Sequence, residues 1–252
     1  MTLWHDSQGA GPELVLLHGW GMNAAVWEPL LPRLQQAFRV TRVELPGHGE
    51  SPPVPGGLHA WAEDCLAVAP ARAAWVGWSL GGLVALQAAL LQPERVERLA
   101  LVTATPSFVQ RETWPQAMPL AVFDQFAAEL NLDPAATLRR FLGLQVKGSE
   151  GARELLRILG SALAERPAAR REGLEPGLEI LLETDLRERL RDLQVPSQWL
   201  FGSRDTLVPV EVGMALQAEL PAARVSLIEG AGHAPFLSHA EACLAWLRAE
   251  HG

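Results

Sequence analysis

The 252 residues are 48% hydrophobic and carry a formal net charge of −8, with 29 acidic against 21 basic side chains. That acidity excludes nucleic acid as a general partner, and no uninterrupted apolar run of ~18 residues suggests a membrane span. The length suits one large α/β domain or a core with an inserted subdomain.

The N-terminal MTLWHDSQGAGPE has no basic stretch leading into an apolar run, so no secretory signal is expected. Next come a strand at ELVLLHG (13–19), a helix over 24–37, a strand at RVTRVEL (39–45) and a helix over 57–69. AAWVGWS (73–79) is a strand that passes straight into a helix over 80–91, and VERLALVTAT (96–105) is the fourth strand. The alternation then stops. FDQFAAEL, ATLRRFLGLQ and ARELLRILGSALAERPAARR are all helical in pattern, so 106–184 reads as a helical insertion lying over the strand ends as a lid. Beyond it a helix over 185–193, the strand PSQWLFGS (196–203), a helix over 209–220, the strand ARVSLIEG (223–230) and a helix over 239–250 complete the chain. Nearly continuous apolar strands alternating with helices predict an α/β fold with a doubly wound, mostly parallel sheet. Residues 1–105 and 185–252 form its core, and functional groups belong in loops at the carboxyl ends of its strands.

Gly77, Ser79 and Gly81 occupy the strand-to-helix passage as Gly-x-Ser-x-Gly. In that context the pattern is a nucleophile elbow: the serine takes a strained backbone, and the glycines prevent collisions where strand and helix cross. A serine hydroxyl needs a base, and the base an orienting acid. In the chain order Ser, Asp, His, these are Asp205 in GSRDTLVP and His233 in IEGAGHAPF, each after a strand. Adjacent strands would bring both to Ser79. The two N–H donors for a tetrahedral oxyanion are assigned to Leu80, after the nucleophile, and Trp20, after the HG that closes the first strand. Trp20 would also wall the scissile bond. Trp75, Trp199 and Trp246 are read as core.

The ring of His18 is expected to stabilise its loop, and His48, in ELPGHGES, to pack a turn. His5, His59, His239 and His251 have no constellation around them. No His, Cys or carboxylate spacing indicates a metal site, and no cofactor is called for. Cys65 and Cys243 read as two buried reduced thiols, which fits the cytoplasm.

The segments LLHGWG, ELPGHGES, GWSLGG, GSRDTLVP and GAGHAPF together resemble the α/β-hydrolase superfamily. VLLHGWGMNAAVW, WVGWSLGGLVA, RFLGLQ, GLEIL and HAPFLSH are similar, more narrowly, to the pimeloyl-[acyl-carrier protein] methyl ester esterase family of biotin synthesis. The resemblance implies the α/β-hydrolase fold and a serine carboxylesterase that hydrolyses the methyl ester of pimeloyl-carrier protein through an acyl-enzyme. Ser79, Asp205 and His233 then carry the catalysis. Trp20, Ser79, Leu80, Phe141, Leu142, Gly143, Leu144, Gln145 and His233 contact the substrate. Three of the family's carrier-docking arginines fall at Arg140, Arg153 and Arg157, whereas the fourth position is Ala136, beside Arg139. The implied partner is an acyl-carrier protein, and the enzyme is expected to act as a monomer on small or medium acyl groups.

Charge supports the same docking surface. Residues 139–171 hold eight basic side chains (Arg139, Arg140, Lys147, Arg153, Arg157, Arg166, Arg170, Arg171) against three acidic ones. An acidic carrier domain or a solvated helix face both fit that excess. Two other functions fit the motifs. A general short-chain carboxylesterase or perhydrolase would keep the triad and differ in the lid. A ligand receptor on this scaffold would stall after about one equivalent, which multiple-turnover kinetics distinguishes.

Overall fold

The computed structural model describes residues 2–249; Glu250, at the end of the last predicted helix, and His251 lie outside them. Seven strands form one sheet in the order β1-β3-β2-β4-β5-β6-β7. They are β1 (His5–Gly9), β2 (Glu13–Leu17), β3 (Arg39–Val43), β4 (Ala73–Trp78), β5 (Val96–Val102), β6 (Ser197–Gly202) and β7 (Arg224–Ile228). Every pair is parallel except β1 with β3. The edge strand β1 is absent from the sequence reading because HDSQG is polar and largely exposed, so it carries no apolar run.

The ten α-helices of the described residues are α1 (Leu31–Leu34), α2 (Gly57–Val68), α3 (Leu80–Leu91), α4 (Leu120–Leu132), α5 (Pro134–Gln145), α6 (Ala152–Ala164), α7 (Arg171–Glu183), α8 (Val210–Glu219), α9 (Pro235–Ser238) and α10 (Ala240–Arg248). The helix expected over 24–37 is instead a 3₁₀ turn at Ala24–Trp27 followed by the single-turn α1. Pro32 has no N–H to give to Glu28, which disfavours one continuous helix and suits the first turn of a new one, where Pro32 sits in α1. Likewise the helix expected over 185–193 is a 3₁₀ turn at Glu188–Asp192, while the helix expected over 239–250 is α10, preceded by the separate single turn α9.

The inner strands read as continuous apolar runs because both faces of the sheet are covered. Alternate residues feed two cores: Val15, Leu17, Trp75, Leu99 and Leu101 on one side, Leu14, Leu16, Val76, Ala100 and Val102 on the other. Trp75 and Trp199 are fully buried, and burying a side chain of that size contributes roughly 1.5–3 kcal/mol or more. Trp246 packs against the second core while partly exposed. Helix α3 is buried from Leu80 to Ala89, which explains why it lacks an amphipathic pattern.

The chain leaves the sheet after β5 and rejoins it at β6, and Leu186 N–H donates to Pro106 O (2.9 Å) at the base of the excursion. Between those points lie α4 to α7 and two isolated bridges, Val109 with Met118 and Arg111 with Trp114. From β2 the chain moves outward to β3, then crosses back to β4 on the other side of β2. That reversal opens a crevice at the carboxyl ends of β2 and β4, where open α/β sheets bind ligands.

Candidate active site

Ser79 follows β4 with φ 55° and ψ −117°, a left-handed conformation that costs an L-residue about 1–3 kcal/mol. The surrounding glycines make the strand–helix crossing possible. A Cβ on Gly77 would lie 2.4 Å from Gly81 O, and one on Gly81 would lie 2.5 Å from the carbonyl oxygens of Leu17 and His18. Ser79 is therefore at the tip of a turn that no larger residues could form, at the amino end of α3.

Asp205 and His233 come from the loops after the paired strands β6 and β7. His233 Nδ1 lies 2.7 Å from Asp205 Oδ2, while Asp205 Oδ1 accepts from Leu207 N–H (2.8 Å) and Val208 N–H (3.1 Å). A carboxylate so held accepts a hydrogen bond from Nδ1–H and leaves the lone pair of Nε2 as the ring's acceptor. Nε2 is buried and has no partner among the described residues. A buried polar atom without a partner is costly in a merely structural role. Ser79 and His233 line one apolar cavity, so the arrangement can pass a hydroxyl proton to Nε2 and hold the resulting imidazolium against Asp205.

The backbone N–H groups of Trp20 and Leu80 meet no acceptor among the described residues. The Trp20 ring is buried, its Nε1–H donates to Leu174 O (2.8 Å), and it packs in edge geometry with Phe126 and Phe141 at centroid distances of 5.5 and 5.0 Å. Helix α7 comes this close because Gly177 has no side chain: a Cβ there would lie 2.7 Å from Trp20 Cδ1.

Of the expected substrate stretch, Phe141 and Leu144 line the cavity; Leu142, Gly143 and Gln145 do not, nor does the Leu80 side chain. The Gln145 amide is turned back on its own helix, Nε2 donating to Phe141 O (3.1 Å). The remaining walls include Phe108, Met118, Val122, Phe123, Leu178, Leu181 and Leu207. Sequence reasoning missed these because an apolar helix position facing a cavity carries the same pattern as one facing a core. Phe123 and Leu178 also line a larger groove between α4 and α7, so these two side chains are the wall common to both spaces.

Arg140, Arg153 and Arg157 are exposed on α5 and α6. Arg140 pairs with Glu129 and Arg157 with Glu154 (2.6 Å), whereas Arg153 has no carboxylate partner among the described residues. Arg166 and Arg170 play a different part in the basic segment. Arg166 pairs with the fully buried Glu44 (2.5 Å) and stacks on Trp4, and Arg170 donates to Ser51 O, so both tie the excursion to the core.

His18 and His48 hold the loop beneath Trp20. His18 accepts from Leu45 N–H at Nε2 (3.0 Å) and donates from Nδ1 to Gly19 O (2.8 Å); His48 accepts from Gly21 N–H (3.1 Å) and donates to Pro46 O (2.9 Å). Burial lowers His18 to about 4 and, with the neighbouring His18 adding to it, His48 to about 3. Both rings stay neutral in the folded protein while the unfolded chain takes up protons near pH 6.5. Stability is thus undiminished above pH 6.5 and falls as the pH drops toward 4 and then 3, by roughly 3 kcal/mol from His18 alone. Urea midpoints should decline steadily from pH 6.5 to 4.5; a flat midpoint over that range would contradict the assignment of neutral rings.

Residues 14–246 match the model of the alpha/beta hydrolase family, and the chain belongs to that family. An esterase from Exiguobacterium antarcticum has the same fold, with a TM-score of 0.87 at 23% identity over 98% of this chain and 96% of that one. Over nearly its whole length the chain is also similar to proteins named pimeloyl-[acyl-carrier protein] methyl ester esterase. That of Methylococcus capsulatus is 46% identical over 243 residues, 96% of this chain and 95% of its own. That of Stenotrophomonas maltophilia is 46% identical over 244 residues, 96% of this chain and 94% of its own.

Proposed function

We infer that this chain is a serine carboxylesterase that hydrolyses the methyl ester of pimeloyl-[acyl-carrier protein], releasing methanol and the free acid in biotin synthesis. The observation that carries the reading is the strained Ser79 sharing one apolar cavity with the unpaired Nε2 of an Asp205-bound His233, in a chain 46% identical to enzymes of that name. Ser79 Oγ attacks the ester carbonyl as His233 Nε2 takes its proton, and the N–H groups of Trp20 and Leu80 receive the oxyanion. His233 returns the proton to the departing methoxide oxygen. Water, deprotonated by His233, then attacks the acyl-serine and frees Ser79.

Arg140, Arg153 and Arg157 dock the acidic carrier on α5 and α6 and take no part in the chemistry. The excursion holding α4 to α7 acts as the lid over the acyl chain. The reading places the enzyme in the cytoplasm, which suits its two free thiols; burial raises Cys65 well above the usual thiol range and pushes Cys243 up to about 12.

The deciding experiment supplies methyl pimeloyl-carrier protein and follows free acid and methanol over many turnovers, together with biotin-free growth of cells lacking such an esterase. Multiple turnovers with restored growth are expected. Rapid turnover of small esters with none of the carrier substrate would instead identify a general esterase, and a halt after one equivalent a receptor.

A further inference from the structure

Thr103 is the first residue after β5, fully buried, and its φ of 42° makes it, with Ser79, one of two non-glycine residues of positive φ among the described residues. A β-branched residue in that region is a genuine outlier, because its Cβ crowds the backbone. Such strain persists only where the surroundings impose it.

The surroundings here are the two halves of the catalytic apparatus. Val102 O, on the peptide that leads into Thr103, accepts from Ser79 N–H (3.0 Å), and Thr103 N–H donates to Leu200 O (2.7 Å). Its hydroxyl donates to His233 O (2.7 Å), which also accepts from Trp78 Nε1–H (2.8 Å). One donor would satisfy that carbonyl. Two donors, from the ends of β4 and β5, hold it from two directions. The left-handed turn thus joins the nucleophile's own peptide to that of the general base, and Thr103 and Ser79 border the same small void.

We propose that Thr103 is a positioning residue for the esterase reaction: its hydroxyl, aimed by a strained turn at the end of β5, sets where His233 stands relative to Ser79. The inference rests on the Ser79–His233 reading above. It assigns to Thr103 no contact with substrate. Its effect is on kcat rather than binding, since an ester enters the cavity beside Trp20 and Phe141 whichever way the imidazole is held. Misplacement of a reacting group by about 1 Å costs on the order of 100-fold in rate.

The test uses p-nitrophenyl acetate, so that carrier docking plays no part, and compares Thr103→Val, Thr103→Ser and Thr103→Gly with the parent. Valine keeps the shape and lacks the donor; kcat should fall roughly 10- to 100-fold while KM stays within about twofold. Serine restores the donor and should recover most of kcat. Glycine relieves the positive φ and also lacks the donor, so it should fold without strain yet lose kcat like valine, which keeps the experiment decisive if the valine variant does not fold. Parent-like kcat in the glycine or valine variant, or serine as impaired as valine, would overturn the proposal. Ser79→Ala is run beside them: if it is inactive, failure of the Thr103 prediction leaves the Ser79–His233 reading standing, and if it is active, that reading itself is wrong.

Discussion

Ser79→Ala should lower kcat by at least ~10³ on both small esters and the carrier substrate while the protein remains folded, because the members of a nucleophile–base unit fail together. The expectation stands on one peptide conformation and one imidazole. No other serine combines a positive φ with a place on the same cavity as His233 among the described residues. An organophosphonate should label Ser79 and leave the other serines unmodified. Ser79→Gly supplies the folding control: it removes the hydroxyl together with the cost of the left-handed backbone, and should melt no lower than the parent while being equally inactive. Near-normal activity in Ser79→Ala, or a label mapped to a different serine, would remove Ser79 from the chemistry.

The second large effect is expected from reversing Arg140, Arg153 and Arg157 to glutamate. Single alanine changes should be small, as exposed ion pairs contribute only ~0.2–1 kcal/mol, and Arg153 should give the largest of the three because it is not already engaged by a carboxylate. The triple reversal replaces attraction with repulsion toward an acidic carrier. It should lower kcat/KM on the carrier substrate roughly 10- to 1000-fold, mainly through association. It also sets new carboxylates beside Glu129, across the contact of α4 with α5, and beside Glu154 on α6, where a like charge three residues away costs about 0.2–0.5 kcal/mol. Hydrolysis of p-nitrophenyl acetate is the control for that cost and should be unchanged. Raising salt should slow the parent on the carrier substrate alone, with exposed charges screened over ~10 Å at 0.1 M. Equal impairment of both substrates would make the arginines structural; impairment of neither would move the docking surface elsewhere.

Within the described residues the inner strands were legible to within one residue at the start and three at the end, because a parallel strand covered on both faces must be apolar along its whole length. β1 escaped for the converse reason. An exposed edge strand is held to β3 by backbone hydrogen bonds and by polar side-chain pairs such as Asp6 with Arg42, neither of which needs an apolar run. Pro32 was readable as a helix breaker, and the helix drawn over 24–37 overran it.

The amino-acid order alone determined the Gly-x-Ser-x-Gly turn and the alternation that builds the sheet, since these depend on steric and periodic constraints between residues close in sequence; the succession Ser79, Asp205, His233 was legible because each stands just after a recognisable strand. Tertiary structure decided everything that depends on which distant side chains share a space. It placed Phe141 and Leu144 in the cavity and Gln145 outside it, and brought Phe123 and Leu178 to its wall. It engaged Arg166 with Glu44, 122 residues away, so that part of the basic segment serves the core. It also directed the hydroxyl of Thr103 to His233 across 130 residues. A threonine at a strand end looks ordinary in sequence; only the converging strands impose its left-handed turn and give its hydroxyl a target.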